Sequence, residues 1–143
     1  MSEEDTLAER AVASPHWRWM PGMLTLEEIV PPAMTLGWDA ARVLHADERE
    51  AVRVCTVLGK VRDIHATALP DLDDPCTLGG LLALVRSAWG DPFICAAVDN
   101  TGGAWWVDGW AESLRMSYLH SRVPGDLHDT EAEALVAALE AAP

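Results

Sequence analysis

Between Asp74 and Pro92 the chain changes its hydrophobic period, and that change restricts the open folds more than any other feature. Asp74-Pro75 puts a capping carboxylate ahead of a proline at the first helical position, where a missing N–H costs nothing. Leu78, Leu81, Leu82, Val85 and Trp89 then recur on one helical face, Ala83 and Leu84 widen it, and Gly90 stops it. The spacing predicts a core helix over 75–89. After Asp91-Pro92 the period falls to two. Strands are expected at 93–98 and 104–110 around the turn cluster Asp99-Asn100-Thr101-Gly102-Gly103. A third is expected at 113–119, where Leu114, Met116 and Tyr118 alternate with Ser113, Arg115 and Ser117. Short connections make these an antiparallel meander. Thr130 and Glu133 have the spacing of a capping box, and Ala132, Leu135, Val136 and Leu139 give a closing helix at 130–141 its apolar face.

The first half is less legible. Residues 3–13 read as a helix capped by Ser2, with Glu3, Glu4 and Asp5 at its positive end and Pro15 stopping it. Trp17 and Trp19 fall on one side of an extended segment, with Arg18 opposite. Leu24–Val30 reads as a short helical turn that Pro31-Pro32 breaks. Val52, Val54, Thr56 and Leu58 alternate with Arg53, Cys55 and Val57 as in a strand, which Gly59-Lys60 turns into Val61–Ala66; Asp47–Val57 also reads as helix. No repeat or linker divides the chain. The expectation is a single α+β domain over 1–143, an antiparallel sheet of three or more strands packed by two or three helices.

Charge narrows the partners. Ten Lys+Arg against 23 Asp+Glu leave −13 on 143 residues. Residues 1–50 hold 4 basic and 10 acidic groups, or −6, and residues 51–143 hold 6 and 13, or −7. With no acidic tail to set aside, the folded body is anionic. Such a body repels nucleic acid and anionic membranes and steers toward basic protein surfaces. Cys55, Cys76 and Cys95 form no CxxC pair, and the acidic start has no apolar run after it, so a cytoplasmic protein is expected. No apolar run approaches the ~20 residues of a membrane helix.

Catalytic signatures are incomplete. Cys76 falls in the first turn of the core helix, where a dipole lowers a thiol pKa, but Asp71, Asp73 and Asp74 crowd the same turn and oppose it. His16, His45, His65, His120 and His128 show no metal-ligand spacing; His120, Asp126, His128 and Asp129 share a loop of ordinary composition. Capping accounts for Asp74, which leaves Asp71 and Asp73 to solvent. P-loop, dinucleotide and hydrolase-elbow motifs do not occur. No catalytic, metal or cofactor residue is assigned. Seven tryptophans stand out. Along 104–110, Trp105 and Val107 alternate with Trp106, Asp108 and Trp110, so indoles beside a carboxylate fall on one face. Helices over both faces would make them core instead.

His16-Trp17-Arg18-Trp19-Met20-Pro21-Gly22-Met23 resembles the opening of many short phage and prophage proteins. Leu69-Pro70-Asp71-Leu72-Asp73-Asp74-Pro75, Leu78-Gly79-Gly80-Leu81-Leu82-Ala83-Leu84-Val85-Arg86 and Trp89-Gly90-Asp91-Pro92 are similar to their central segment, and Thr130–Leu139 to their end. These segments cover about a third of the chain. The group, loosely called phage ABA-sandwich proteins, implies a small antiparallel sheet packed with helices and carries no catalytic motif to transfer. Residues 24–68 match nothing in it and stand as an atypical insert. The expected function is non-enzymatic, cofactor-free binding by a phage or mobile-element accessory protein. Its expected form is an acidic counter-defence inhibitor, of anti-CRISPR or DNA-mimic type, of a host protein with a basic surface. Trp106, Asp108, Trp110, Trp17, Trp19, Asp71 and Asp73 are the candidate contact residues. A homo-oligomeric sponge for signalling nucleotides, using Arg53, Arg62, Arg115 and Arg122, is the second reading. An enzyme built on Cys76 or the loop histidines is the third.

Overall fold

The computed structural model describes residues 3–28, 38–46, 51–56, 59, 61–65, 68–98, 103–109 and 127–143. Its architecture is α+β, as the sequence predicts, with three helices, a five-stranded antiparallel sheet and a separate two-stranded hairpin among these residues. Contacts divide the chain into two compact units, residues 1–12 with 18–80, and 13–17 with 81–143.

The first unit holds helix α1 (Glu3–Ala13) except its last residue, and strands β1 (Leu24–Glu28), β2 (Trp38–Ala46), β3 (Ala51–Thr56), β4 (Val61–His65) and β5 (Leu69–Pro70). The strands order as β4-β3-β2-β1-β5. The expected helical turn at Leu24–Val30 is therefore overturned. Leu24–Glu28 pairs with Trp38–Arg42 on one side and with Leu69–Pro70 on the other, and this cross-strand pairing overrides a local preference for helix. The strand readings hold over the described residues 52–56 and 61–65, and the helical reading of Asp47–Val57 fails where it is described, since Ala51–Cys55 pairs residue by residue with Val61–His65; residues 47–50, 57, 58, 60 and 66 lie outside the described residues. Thr25, Ala41, Val43, Val52 and Val54 are buried, while Arg42, Arg53 and Val61 at alternating positions are exposed. This is one covered face and one wet one. A bulge between Val43 and His45 interrupts β2, leaving both Leu44 and His45 exposed.

Helix α2 (Pro75–Trp89) has the predicted limits. Gly90, at φ +65°, ends it as expected: its N–H reaches Ser87 O at 3.3 Å and that of Asp91 reaches Arg86 O at 3.0 Å, a Schellman closure. Two neighbouring glycines in this helix make opposite predictions. A methyl at Gly79 meets nothing within 4 Å, so Gly79→Ala stabilises by about 0.5–1 kcal/mol through helix propensity. A Cβ at Gly80 would lie 2.6 Å from Met23 Cε and 3.1 Å from its Cγ, and Met23 is fully buried. Gly80→Ala therefore forces Met23 to repack and destabilises by roughly 1 kcal/mol net, despite the same propensity gain. Urea unfolding of the two variants reads the difference.

In the second unit β6 (Cys95–Val98) pairs with β7 (Trp105–Asp108), and α3 (Glu131–Glu140) packs on both. Both strands are shorter than the expected 93–98 and 104–110. Asp91 draws Phe93 N–H into a turn at 2.9 Å, which delays the start of β6. The expected strand 113–119 lies outside the described residues. Thr130 and Glu133 form the predicted capping box, so the closing helix begins one residue later, at Glu131. Ala132, Ala134, Leu135, Val136, Ala138 and Leu139 are its buried residues. Trp89 Nε1 donates to Ala138 O at 2.8 Å and Arg86 Nε to Ile94 O at 2.8 Å, tying the end of α2 to α3 and to the approach of β6. No helix among the described residues is long and apolar enough to cross a membrane.

Candidate functional site

The acidic segment ahead of α2 is built by short-range hydrogen bonds. Asp71 Oδ1 accepts from Asp73 N–H at 3.0 Å, an Asx turn that presents Asp73 to solvent and leaves Asp71 half-buried. Asp71 N–H donates to Leu24 O at 2.9 Å, anchoring the turn to β1. Asp74 begins the helix, its carbonyl accepting from Leu78 N–H at 3.0 Å while Oδ2 accepts from Thr77 N–H at 2.9 Å.

Capping does not exhaust the role of Asp74, which corrects the sequence reading. Arg42 in β2 grips the carboxylate bidentately, Nη1 to Oδ2 at 2.9 Å and Nη2 to Oδ1 at 2.8 Å. Nη1 also donates to Gly22 O at 2.9 Å. Thr77 Oγ1 donates to Asp74 Oδ2 at 3.1 Å and accepts from Leu24 N–H at 2.8 Å. One carboxylate thus joins the helix start to β1 and β2. The Arg42 fork holds the Asp74 carboxyl down to about 2, from an ordinary 3.8, with Thr77 adding to the effect against a burial penalty. The same contact raises Arg42 further above its usual value.

A depressed carboxylate pKa makes stability depend on acid in one direction. The contribution is complete above the unfolded value near 4 and is lost as pH falls from there through about 2. Arg42 is 46% exposed, so water weakens the pair, and the contribution is roughly 1–2 kcal/mol. Urea midpoints between about pH 6 and about pH 2.5 should show this loss, and Asp74→Asn should flatten that part of the profile.

The other candidates are placed as follows. Trp106 sits half-buried on β7 opposite Ala97. Asp108, also half-buried, is opposite Cys95 and accepts from Gly109 N–H at 2.9 Å. Val107 between them is buried, and Trp105, half-buried, exchanges two backbone hydrogen bonds with His128 at 2.8 and 2.9 Å. Trp17 is half-buried, Trp19 is 7% exposed, and Trp110 lies outside the described residues. Trp19, Asp71 and Asp73 belong to the first unit; Trp17, Trp106 and Asp108 belong to the second. Among the described residues the large apolar side chains in solvent are Leu44, Val61, Phe93, Val98 and Leu127, with no indole among them. Cys76 is exposed in the first turn of α2, and His128 is engaged through its backbone beside β7.

Sequence reasoning missed Arg42 and Thr77. Arg42 stands 32 residues from Asp74, and no local signal announces such a pair. Thr77 could have been found, since its hydroxyl lies three residues past the cap. In comparison with known proteins, no family model matches the chain, and no curated protein or solved structure matches it.

Proposed function

We propose that the protein acts by binding, as an acidic counter-defence inhibitor from a phage or mobile element that occupies the basic nucleic-acid groove of a host protein. The observation that carries this reading is the charge of −13, divided almost evenly along the chain. Glu9, Asp73, Asp129 and Glu140 are exposed. Carboxylates held in fixed positions can replace phosphates against arginines and lysines, with little ordering cost on binding.

Two local features suit that role. Arg42 neutralises Asp74, so the turn stays anchored without losing the charges of Asp71 and Asp73. On β7, Trp106 and Asp108 are half-buried and offer part of an indole and a carboxylate to a partner. Anti-CRISPR and DNA-mimic inhibitors are the class this chemistry fits. The test is displacement of labelled duplex DNA from purified bacterial nucleic-acid-binding effectors. Release of DNA at near-stoichiometric protein supports the proposal. DNA that stays bound across such a panel argues against it, and Asp71→Asn with Asp73→Asn should weaken displacement without unfolding the chain.

A further inference from the structure

We propose that α2 contains a hinge at Gly79-Gly80, where the helix opens while the parts on either side of it stay folded. The boundary between the two compact units falls inside this helix, after Gly80. Two other boundaries follow Val12 and Trp17, one at the last residue of α1 and one in a segment that is neither helix nor strand. Backbone angles change at little cost in such places. Only in α2 does the chain pass from one unit to the other through the interior of a regular element.

Each part of the helix is fastened within its own unit. Asp74 accepts from the N–H groups of Thr77 and Leu78 and is gripped by Arg42, while Thr77 Oγ1 accepts from Leu24 N–H. The last turns are held by Arg86 Nε on Ile94 O and by Trp89 Nε1 on Ala138 O. Between these anchors stand two adjacent glycines, each lowering the local helix weight about four- to fivefold relative to alanine. Gly80 has a packing reason, the close approach of Met23. Gly79 has none. A Cβ there would meet nothing within 4 Å, so the glycine weakens the helix without admitting a neighbour. A weak point in a helix, at the residue pair where the units divide, is what a hinge requires.

Opening at this joint has a defined signature. Helical hydrogen bonds from the N–H groups of Leu81, Leu82, Ala83 and Leu84 to the carbonyls of residues 77–80 span it. These bonds break on opening, whereas Thr77 and Leu78 keep theirs to Asp74, and Val85–Trp89 keep theirs within the second part. Fraying from the helix end gives a different pattern, in which protection climbs steadily from the first turn inward. The hinge belongs to the free chain and needs no partner.

Amide hydrogen exchange of the full chain, read residue by residue by NMR, tests the hinge. After correction for intrinsic rates, exchange at Leu81–Leu84 should exceed that at Thr77, Leu78 and Val85–Trp89 by about tenfold or more. It should change little in low urea, because opening the joint exposes little surface. Gly79→Ala, which keeps the fold, should slow exchange at Leu81–Leu84 by about 2–5-fold. Even protection along α2, or protection rising steadily from Leu78 to Trp89, overturns the proposal. So does a steep urea dependence at Leu81–Leu84, or exchange there that Gly79→Ala leaves unchanged.

Discussion

Leu135→Ala is expected to lower stability by about 3–4 kcal/mol, the largest single loss among the changes considered. Leu135 is fully buried, and α3, which carries it, packs against β6 and β7. Truncation removes its transfer free energy and leaves a cavity, because neighbours already fixed in a helix and a hairpin close over it only in part. Leu127, a few residues upstream and 50% exposed, supplies the control: Leu127→Ala should cost less than about 1 kcal/mol. Urea unfolding separates the two, and a melting temperature lower by roughly 10 °C should accompany the larger effect.

Asp74→Ala should cost about 3 kcal/mol. The change removes the α2 cap, worth about 1 kcal/mol, and strips the bidentate partner from Arg42 and an acceptor from Thr77. The partial contributions can be told apart. Asp74→Ser restores a capping oxygen but no charge and should recover about 1 kcal/mol. Arg42→Met leaves Asp74 capped and should cost less than Asp74→Ala, because Arg42 is half in water. A double-mutant cycle between the two positions should return a coupling of about 1–2 kcal/mol.

What could be read in advance follows the range of the physics involved. Helices α2 and α3 were legible because their signals are local: Asp74-Pro75, the capping box of Thr130 and Glu133, the leucine stripe and Gly90 all act within a turn or two. The sheet of the first unit was hidden because its signals lie in pairing between distant residues. Leu24–Glu28 has the leucine and glutamate content of a helix, and only Trp38–Arg42 and Leu69–Pro70 on either side make it a strand. In β2 the bulge puts Leu44 and His45 both in solvent, which erases the alternation that would have marked the strand. The candidate site divides the same way: the cap at Asp74 was visible, and Arg42 in a strand 32 residues earlier was not. Burial of the indoles was equally unreadable, since strand parity separates two faces without saying which is covered.

The central claim is that carboxylates bring this protein to a basic partner, and a salt titration of that complex tests it most directly. Raising salt from about 0.1 M to about 1 M shortens the screening length from about 10 Å to about 3 Å. Affinity for a nucleic-acid-binding effector should then fall at least about tenfold, mostly through slower association. An affinity that holds constant across that range would contradict the account, because attraction between an anionic surface and a cationic one cannot survive such screening undiminished.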